Sequence, residues 1–498
     1  MIRGMKRLLA NLFEKLTFQN FRRACFIFFI LLYLVLCPLI LLYSFGYIFH
    51  PEKQELVRTG LVSVETFPSG ADLYLGSSRF TKKTPAVIPE LLPGRYTLKV
   101  FLKNYRPWMR AFQIKPGLAT AFEDILLIPK TLPLQTISRQ LFKEIIPLED
   151  QDSFILNKGQ TLGDLFVFDT DQLDTRPLVD ASAYPQARLL DIFSLQEAPA
   201  IIARVSFQGK NKYLLLDLEQ KTVTDISPVV IGSPQDFFSV PDDPRTLFAL
   251  IHDRISMINP QEGSLRPDLA GPVKGFGVSS KRLYLLKQDN TLISNSLDLK
   301  NPQPLLDDPV LADAIFSQKD FYEIHNPSPD LLVFLGKKGE LIVNSRPYRA
   351  CDKGCLGFSF DPRRRRLLFW TRRTITILNL VDSSREETDF SGTFFLSEDI
   401  FREGRDIQQC FWAYDGSHVL FKDAGTIYLL ELDPEGAHQL ELLTEAKRDA
   451  RIFYSETTGT IVFLEEQDHS LKSLQLWPGA GFIPPLPSET APEGADKT

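Results

Sequence analysis

The sequence predicts a mainly β protein: an N-terminal transmembrane helix, a small β-sandwich, then a β-propeller of seven or eight blades. Three observations predict it. Ala24 to Phe49 is a run of 26 residues without a charge. Residues 60–129 alternate apolar and polar side chains in short stretches cut by Pro and Gly. From residue 145 to 478 one strand-turn-strand phrase recurs at about 44 residues, the spacing of a four-stranded blade. Thirty-eight Phe against four Met agree, because aromatic residues favour strands.

The apolar run comes first. About 20 apolar residues suffice to cross the hydrocarbon as a helix, so residues 24–49 are expected to span, with Pro38 removing one helical hydrogen bond. A cleaved signal peptide has a shorter apolar core and a small-residue cleavage site. Here "YSFGYIFHPEKQ" offers bulky aromatics instead. Arg3, Lys6, Arg7, Lys15, Arg22 and Arg23 precede the span, with Glu14 the single acid. Excess Lys and Arg stay in the cytoplasm, so residues 1–23 are a cytoplasmic basic segment and the rest is extracytoplasmic, anchored in the cytoplasmic membrane by one pass. Setting those six bases and one acid aside leaves 50 bases and 61 acids, a formal charge of −11. Nucleic acid, which needs a concentrated basic surface, is excluded as a partner.

Residues 60–129 follow. "GLVSVETF" alternates at the strand period, "PSGA" turns the chain and "DLYLGSS" returns. Further strands centre on Tyr96, on Trp108 to Ile114 and on "TAFEDILLI". Strands this short, within about 70 residues, close a small antiparallel sandwich. Pro68, Gly70, Ala71, Tyr74, Thr84, Pro85, Leu92, Pro93, Gly94, Tyr96 and Tyr105 stand where the PEGA domain has its motif, and the segment resembles that family. Ser69 replaces the Glu of the name, and Asn104 the Gly before Tyr105, a position where Asn tolerates the left-handed conformation. The resemblance implies a non-catalytic module of envelope and surface proteins, whose Pro and Gly set turns and whose aromatics fill a core.

Residues 130–144, "KTLPLQTISRQLFKE", contain Pro133 and do not alternate, and read as a linker. The repeat then begins. Its clearest copy is "CFWAYDGSHVLFKDAGTIYLLELDPEGAHQLELLT", with Asp415 and Gly416 as the hairpin turn. That copy resembles the propeller repeat of the periplasmic Tol-system protein and of peptidase propellers, an aromatic-Ser-Pro-Asp-Gly turn followed by a strand and Ile-Tyr-x-x-Asp. Third strands are expected to start at Leu165, Tyr213, Ile255, Leu292, Leu341, Ile375, Ile427 and Leu471. Eight units result, or seven blades if the outermost pieces combine. Each unit buries its faces only against neighbours, so the ring must close. Residues 479–498 are Pro-rich and acidic, with the composition of a disordered tail.

Catalytic motifs are missing from the sequence: no Gly-x-Ser-x-Gly elbow, no His-Glu-x-x-His, no Walker loop and no dinucleotide fingerprint. The histidines, at 50, 252, 325, 418, 438 and 469, lack metal-ligand spacing. No cofactor or metal is therefore expected. Cys351 and Cys355, in "CDKGC", allow a local disulfide, two thiols or half of a zinc site. Cys25 and Cys37 lie in the span, and Cys410 reads as core. Arg363 to Arg366 fall on a hairpin turn, with an anionic polymer site as the second reading. "DTDQLDT", Asp169 to Thr175, reads as an acidic turn, since it lacks the Gly and bidentate Glu of a calcium loop.

Two function classes follow. The first is an extracytoplasmic binding or scaffold protein of the cell envelope, not an enzyme, presenting a propeller surface to an envelope protein or a cell-wall polymer. The alternative is a wall-glycan-processing enzyme with its active site in the propeller channel. Carboxylates converging in that channel are the feature that tells them apart.

Overall fold

The computed structural model describes residues 2–50, 55–148, 153–169, 174–195, 198–241, 243–306, 309–318, 320–344, 349–380, 397–433 and 438–477. The tail after 478 and the centre of the "DTDQLDT" stretch lie outside the described residues. The chain divides into two compact units, Met1–Leu132 and Pro133–Thr498.

The first unit opens with one helix, Ile2–Ser44, in which the basic segment and the apolar run are continuous. Cys25–Ser44 is long and apolar enough to cross a membrane. The helix stops five residues before the end of the apolar run because Gly46 adopts a left-handed φ of 78° and its N–H donates to the Tyr43 carbonyl. Residues after it form a two-stranded ribbon, Tyr47–His50 with Glu55–Arg58, in place of the last turns of the expected span.

The sandwich has a three-stranded sheet (Ala86–Leu91, Gly60–Phe67, Ala119–Leu126) and a four-stranded sheet (Ser78–Arg79, Asp72–Leu75, Gly94–Phe101, Trp108–Ile114). The pair Gly60–Phe67 and Ala119–Leu126 is parallel. Alternation is visible in Trp108–Ile114, whose side chains are buried and exposed by turns. Val62, Val64, Leu73, Leu98, Val100 and Phe112 meet between the sheets.

The second unit is a closed β-propeller. Among the described residues eight four-stranded antiparallel blades succeed one another: residues 144–177, 188–225, 236–270, 273–306, 322–352, 357–401, 407–445, and a closing blade. The fourth strands are the most exposed, while first strands of neighbouring blades touch, so the first strands line the central channel. Side chains on both faces of the middle strands are buried against adjacent blades, which makes segments such as Arg366–Trp370 and Thr460–Leu464 near-continuous apolar runs. The core is therefore sliced between blades: Ile155 with Leu214, Ile202 with Leu247, Phe248 with Phe276.

Closure corrects the expected linker. Leu134–Ser138, inside residues 130–144, is the outermost strand of the closing blade and pairs with Leu471–Gln475, ahead of Thr460–Leu464 and the innermost Phe453–Ser455. The ring of Phe154 in the first blade lies tilted against that of Phe453, 4.7 Å between centroids, across that seam. The eight expected third-strand starts all fall at or within observed third strands, from Leu165–Asp169 to Leu471–Gln475.

Candidate functional site at the channel mouth

The residues singled out in the sandwich form one hydrogen-bonded turn. Gly70, at φ 84°, donates its N–H to the Thr84 carbonyl (2.8 Å), and Thr84 returns its own N–H to the Ala71 carbonyl (3.0 Å). The Ala71 N–H donates to Thr84 Oγ1 (3.0 Å), which lies 2.7 Å from Thr66 Oγ1, and Thr66 donates to the Pro68 carbonyl (2.7 Å). These donors line up as a chain, Ala71 to Thr84 to Thr66 to Pro68, with Pro85 next to its pivot. Tyr96 Oη donates to the Leu92 carbonyl (2.9 Å) and pins the turn holding Pro93 and Gly94. Asn104 adopts the left-handed φ of 69° expected of it, beside Tyr105, which bridges to Pro129. All of this is structural. Thr84→Val is expected to cost the sandwich about 1–3 kcal/mol, because it orphans a buried N–H, and Thr84→Ser to cost little; urea unfolding followed at Trp108 checks it. The outer face of the four-stranded sheet carries an open groove of about 500 Å³ lined by Gly76, Thr97, Lys99, Met109 and Ala111. No cluster of titratable groups converges there.

In the propeller, the arginine run is a turn, residues 362–365, entering the strand Arg366–Trp370. Its guanidinium groups lace neighbouring blades. Arg365 pairs with Asp330 of the fifth blade (2.6 Å), Arg363 with Asp415 of the seventh, and Arg366 with Asp361 (2.9 Å) and the Gly416 carbonyl. Arg366 also lies 4.4 Å over the Trp412 ring. Asp415 and Gly416 are left-handed, at φ 54° and 69°, and the Asp415 N–H donates to Glu456 of the closing blade (2.8 Å).

Cys351 and Cys355 are thiols, not bridged to one another. Cys355 donates to the Gly357 carbonyl (3.2 Å), burial pushes it up to about 11, and Cys351 packs against the same core. Among the described residues no group of His, Cys, Asp and Glu has the arrangement of a metal site. Burial against Phe358 holds His325 neutral, with its pKa near 4.

Sequence reading missed a place where titratable groups of several blades converge. Asp191 lies on the first strand of the second blade, Asp236 opens the first strand of the third, and Glu323 is second on that of the fifth. Lys337, just after the fifth blade's second strand, reaches past the fourth blade to within 3.8 Å of Asp236. Glycine makes this reach possible. The fourth blade's first strand, Val273–Val278, pairs in parallel with Tyr322–Ser328 of the fifth, joining the two blades into one eight-stranded sheet. Gly275 and Gly277 permit that contact: a Cβ on Gly277 would stand 1.8 Å from the Ile324 carbonyl oxygen.

Burial pushes the Asp236 carboxyl up, against the pull of the Lys337 ammonium. Glu323 is pushed up by burial and then by the Asp236 charge. Asp191 adds its charge to Asp236 and is itself paired with Arg204 at 3.3 Å. Asp236 and Glu323 stand where first strands begin, and the arginine-laced hairpins where first strands end, so the two features occupy opposite faces of the ring. No local motif marks the cluster, since its members lie up to 146 positions apart, between Asp191 and Lys337. Superposing the eight repeat copies and reading along their first strands, where Asp191, Asp236 and Glu323 fall, is the signal that finds its acids.

A carboxyl raised in the native state stabilises the fold below its unfolded pKa, and that stability is lost as pH climbs through the native value. At neutral pH, above the unfolded value, the upward shift of Glu323 is therefore a burden on the fold. Glu323→Gln is expected to raise the melting temperature at pH 7 by on the order of 1 °C, with the gain vanishing under acid conditions where parent and variant are both uncharged; paired thermal melts check it.

Comparison with known proteins bears on both units. Residues 59–124 match the family model described as the PEGA domain. This segment is a PEGA domain. Its hydrogen-bonded turn at Pro68 to Ala71 is thus the PEGA turn with Ser69 in place of Glu. No curated protein matches the chain's sequence. Among solved structures, the β-propeller domain of Cps50 (Swd1) from Myceliophteria thermophila is 12% identical, with a TM-score of 0.40, covering 70% of this chain and 99% of that one. The WD40 domain of SCAP from fission yeast is 12% identical, with a TM-score of 0.41, covering 69% and 94%. PorZ of Porphyromonas gingivalis, a bacterial surface component of the type-IX secretion system, is 11% identical, with a TM-score of 0.36, covering 66% of this chain and 42% of that one.

Proposed function

We propose that the chain is a membrane-anchored, extracytoplasmic binding or scaffold protein of the cell envelope. Its propeller presents the channel mouth at Asp191, Asp236 and Glu323 to a protein or glycan partner. The observation that carries this reading is the electrostatics of that mouth on a fully packed, closed ring. Acid-base catalysis by two carboxyls needs their environments to push the pKa values apart, one high and one low. Asp236 and Glu323 are both shifted upward, by the same cause. Such a site suits the capture of a cationic or hydrogen-bond-donating group, because burial strengthens an interaction with any donor that displaces water. The anchor and its orientation rest on the apolar helix and the basic residues before it.

The test uses the full chain in lipid nanodiscs, exposed to solubilised envelope proteins and to wall glycans. Saturable binding that Asp236→Asn with Glu323→Gln weakens tenfold or more is the expected result. Reproducible cleavage of a wall glycan, abolished by Glu323→Gln, overturns the binding reading in favour of an enzyme.

A further inference from the structure

We infer that the two ribbon strands, Tyr47–His50 and Glu55–Arg58, and the turn Lys115–Leu118 form a second membrane contact, seated in the headgroup boundary of the leaflet where the helix ends. The inference rests on the anchor reading above, and its partner is a lipid surface.

The helix end and the PEGA domain are fastened together within one unit. Thr59, buried, donates both its N–H (2.8 Å) and its Oγ1 (2.9 Å) to the Gly46 carbonyl, and its own carbonyl accepts the Gly117 N–H (2.9 Å). Tyr43, on the last turn of the helix, donates its hydroxyl to Glu90 of the domain at 2.6 Å. The domain's Gly60 end is thereby fixed beside the end of the span, leaving no free linker between them. The ribbon starts and finishes at that same point, since Tyr47 pairs with Arg58 next to Gly46 and Thr59.

Large apolar side chains are exposed at this place. Phe45 is 65% exposed, Phe49 57%, Leu56 51% and Leu118 56%. Phe49 and Leu56 are directly opposed across the ribbon, on the face that also carries Tyr47 and Arg58, because strand side chains alternate. Arg58 lies against Gly117, where an added Cβ would stand 2.3 Å from Cζ, so that face adjoins the turn bearing Leu118. Phe49 is five residues beyond Ser44, within about 17 Å even when fully extended, and the interfacial layer in which amphipathic elements lie is roughly 5–10 Å deep. Apolar and aromatic groups bordered by Arg58 and Lys115 match what that layer accepts: rings at headgroup level and cations facing phosphate. A protein partner would meet the same patch only after clearing the bilayer that the adjoining helix occupies.

The full chain, reconstituted in phosphatidylcholine and phosphatidylglycerol vesicles, tests this with single added tryptophans read as differences from the parent. Each variant is measured with phosphatidylcholine brominated near the headgroup or near the chain end. Leu34→Trp reports the anchor itself and should be quenched most by the deep bromines. Phe49→Trp and Leu118→Trp are expected to be quenched by the shallow bromines, more than by the deep ones. Ser69→Trp, at the other end of the strand Gly60–Phe67, should not be quenched. Quenching at Leu34→Trp with none at Phe49→Trp or none at Leu118→Trp overturns the second contact while the anchor stands. No quenching at Leu34→Trp overturns the anchor and this inference with it.

Discussion

Gly277→Ala is expected to destabilise the propeller by more than about 4 kcal/mol, in the range reached only by substitutions that violate packing outright. The added methyl would lie 1.8 Å from the Ile324 carbonyl oxygen, 2.7 Å from its carbon and 2.8 Å from its Cβ. Two of those atoms are backbone, so no rotamer change relieves the overlap; the fourth and fifth blades would have to part. Gly275 supplies the internal comparison. A methyl there meets Leu286 Cβ and Tyr322 at 3.1–3.2 Å, tight contacts that small shifts accommodate at about 1–2 kcal/mol. Gly94 of the PEGA domain, whose nearest neighbour would be a Tyr96 ring atom at 3.7 Å, should accept alanine almost silently. Urea unfolding of the detergent-solubilised chain, followed by tryptophan fluorescence, should rank the three in that order. A Gly277→Ala protein as stable as its parent would mean that the two blades are not joined through their first strands. Because that junction brings Glu323 and Lys337 across to Asp236, the same variant should also dissolve the channel mouth.

What was legible in the sequence was whatever a local period could carry. Third strands such as Ile375–Asn379 are buried on both faces and stand out as apolar runs, and their spacing located every blade. The PEGA turn was legible because Pro68, Gly70 and Thr84 each perform a backbone task that few other residues perform. Leu134–Ser138 was not legible. It is a mostly exposed edge strand, its alternation is weak, and its partner lies more than 330 positions away, so no local pattern separates it from a linker. The same closure leaves seven against eight blades open from sequence, since the last blade is assembled from both ends of the unit. Helix length was overestimated because hydropathy does not see the left-handed Gly46 that ends it. The hairpin turn was legible at the arginine run, and the anionic-polymer reading could stand beside it only while the acids it meets, Asp330 and Asp415, were distant in sequence. The channel mouth is the extreme case, a site that exists only once the ring has closed.

Closure also explains the second large effect, expected for Lys422→Met. Lys422, on the second strand of the seventh blade, is wholly buried, and its ammonium donates to the carbonyls of Lys447 (2.7 Å), Arg448 (2.8 Å) and Ala450. Those carbonyls belong to the loop that leads into the closing blade. The loop is held further by the Lys447 N–H on the Leu464 carbonyl and by Lys447 Nζ on the Lys143 carbonyl of the chain entering the first blade. Methionine fills the space but leaves the three acceptors without their donor, and each buried orphan costs about 1–3 kcal/mol. Removing a buried charge offsets part of that. The net loss should be about 2–4 kcal/mol by the same reckoning. A pH signature separates this from simple loss of packing. Burial lowers the Lys422 pKa to about 8, whereas an unfolded lysine titrates near 10.4. Between those values the unfolded state holds more protons than the native one, so this residue makes the parent more stable as pH rises through the window. The Met variant lacks the group, and the gap between the two proteins should widen from pH 8 toward pH 10 in parallel urea titrations. A gap that stays constant or narrows would show that the ammonium is not the titrating group holding the ring's seam.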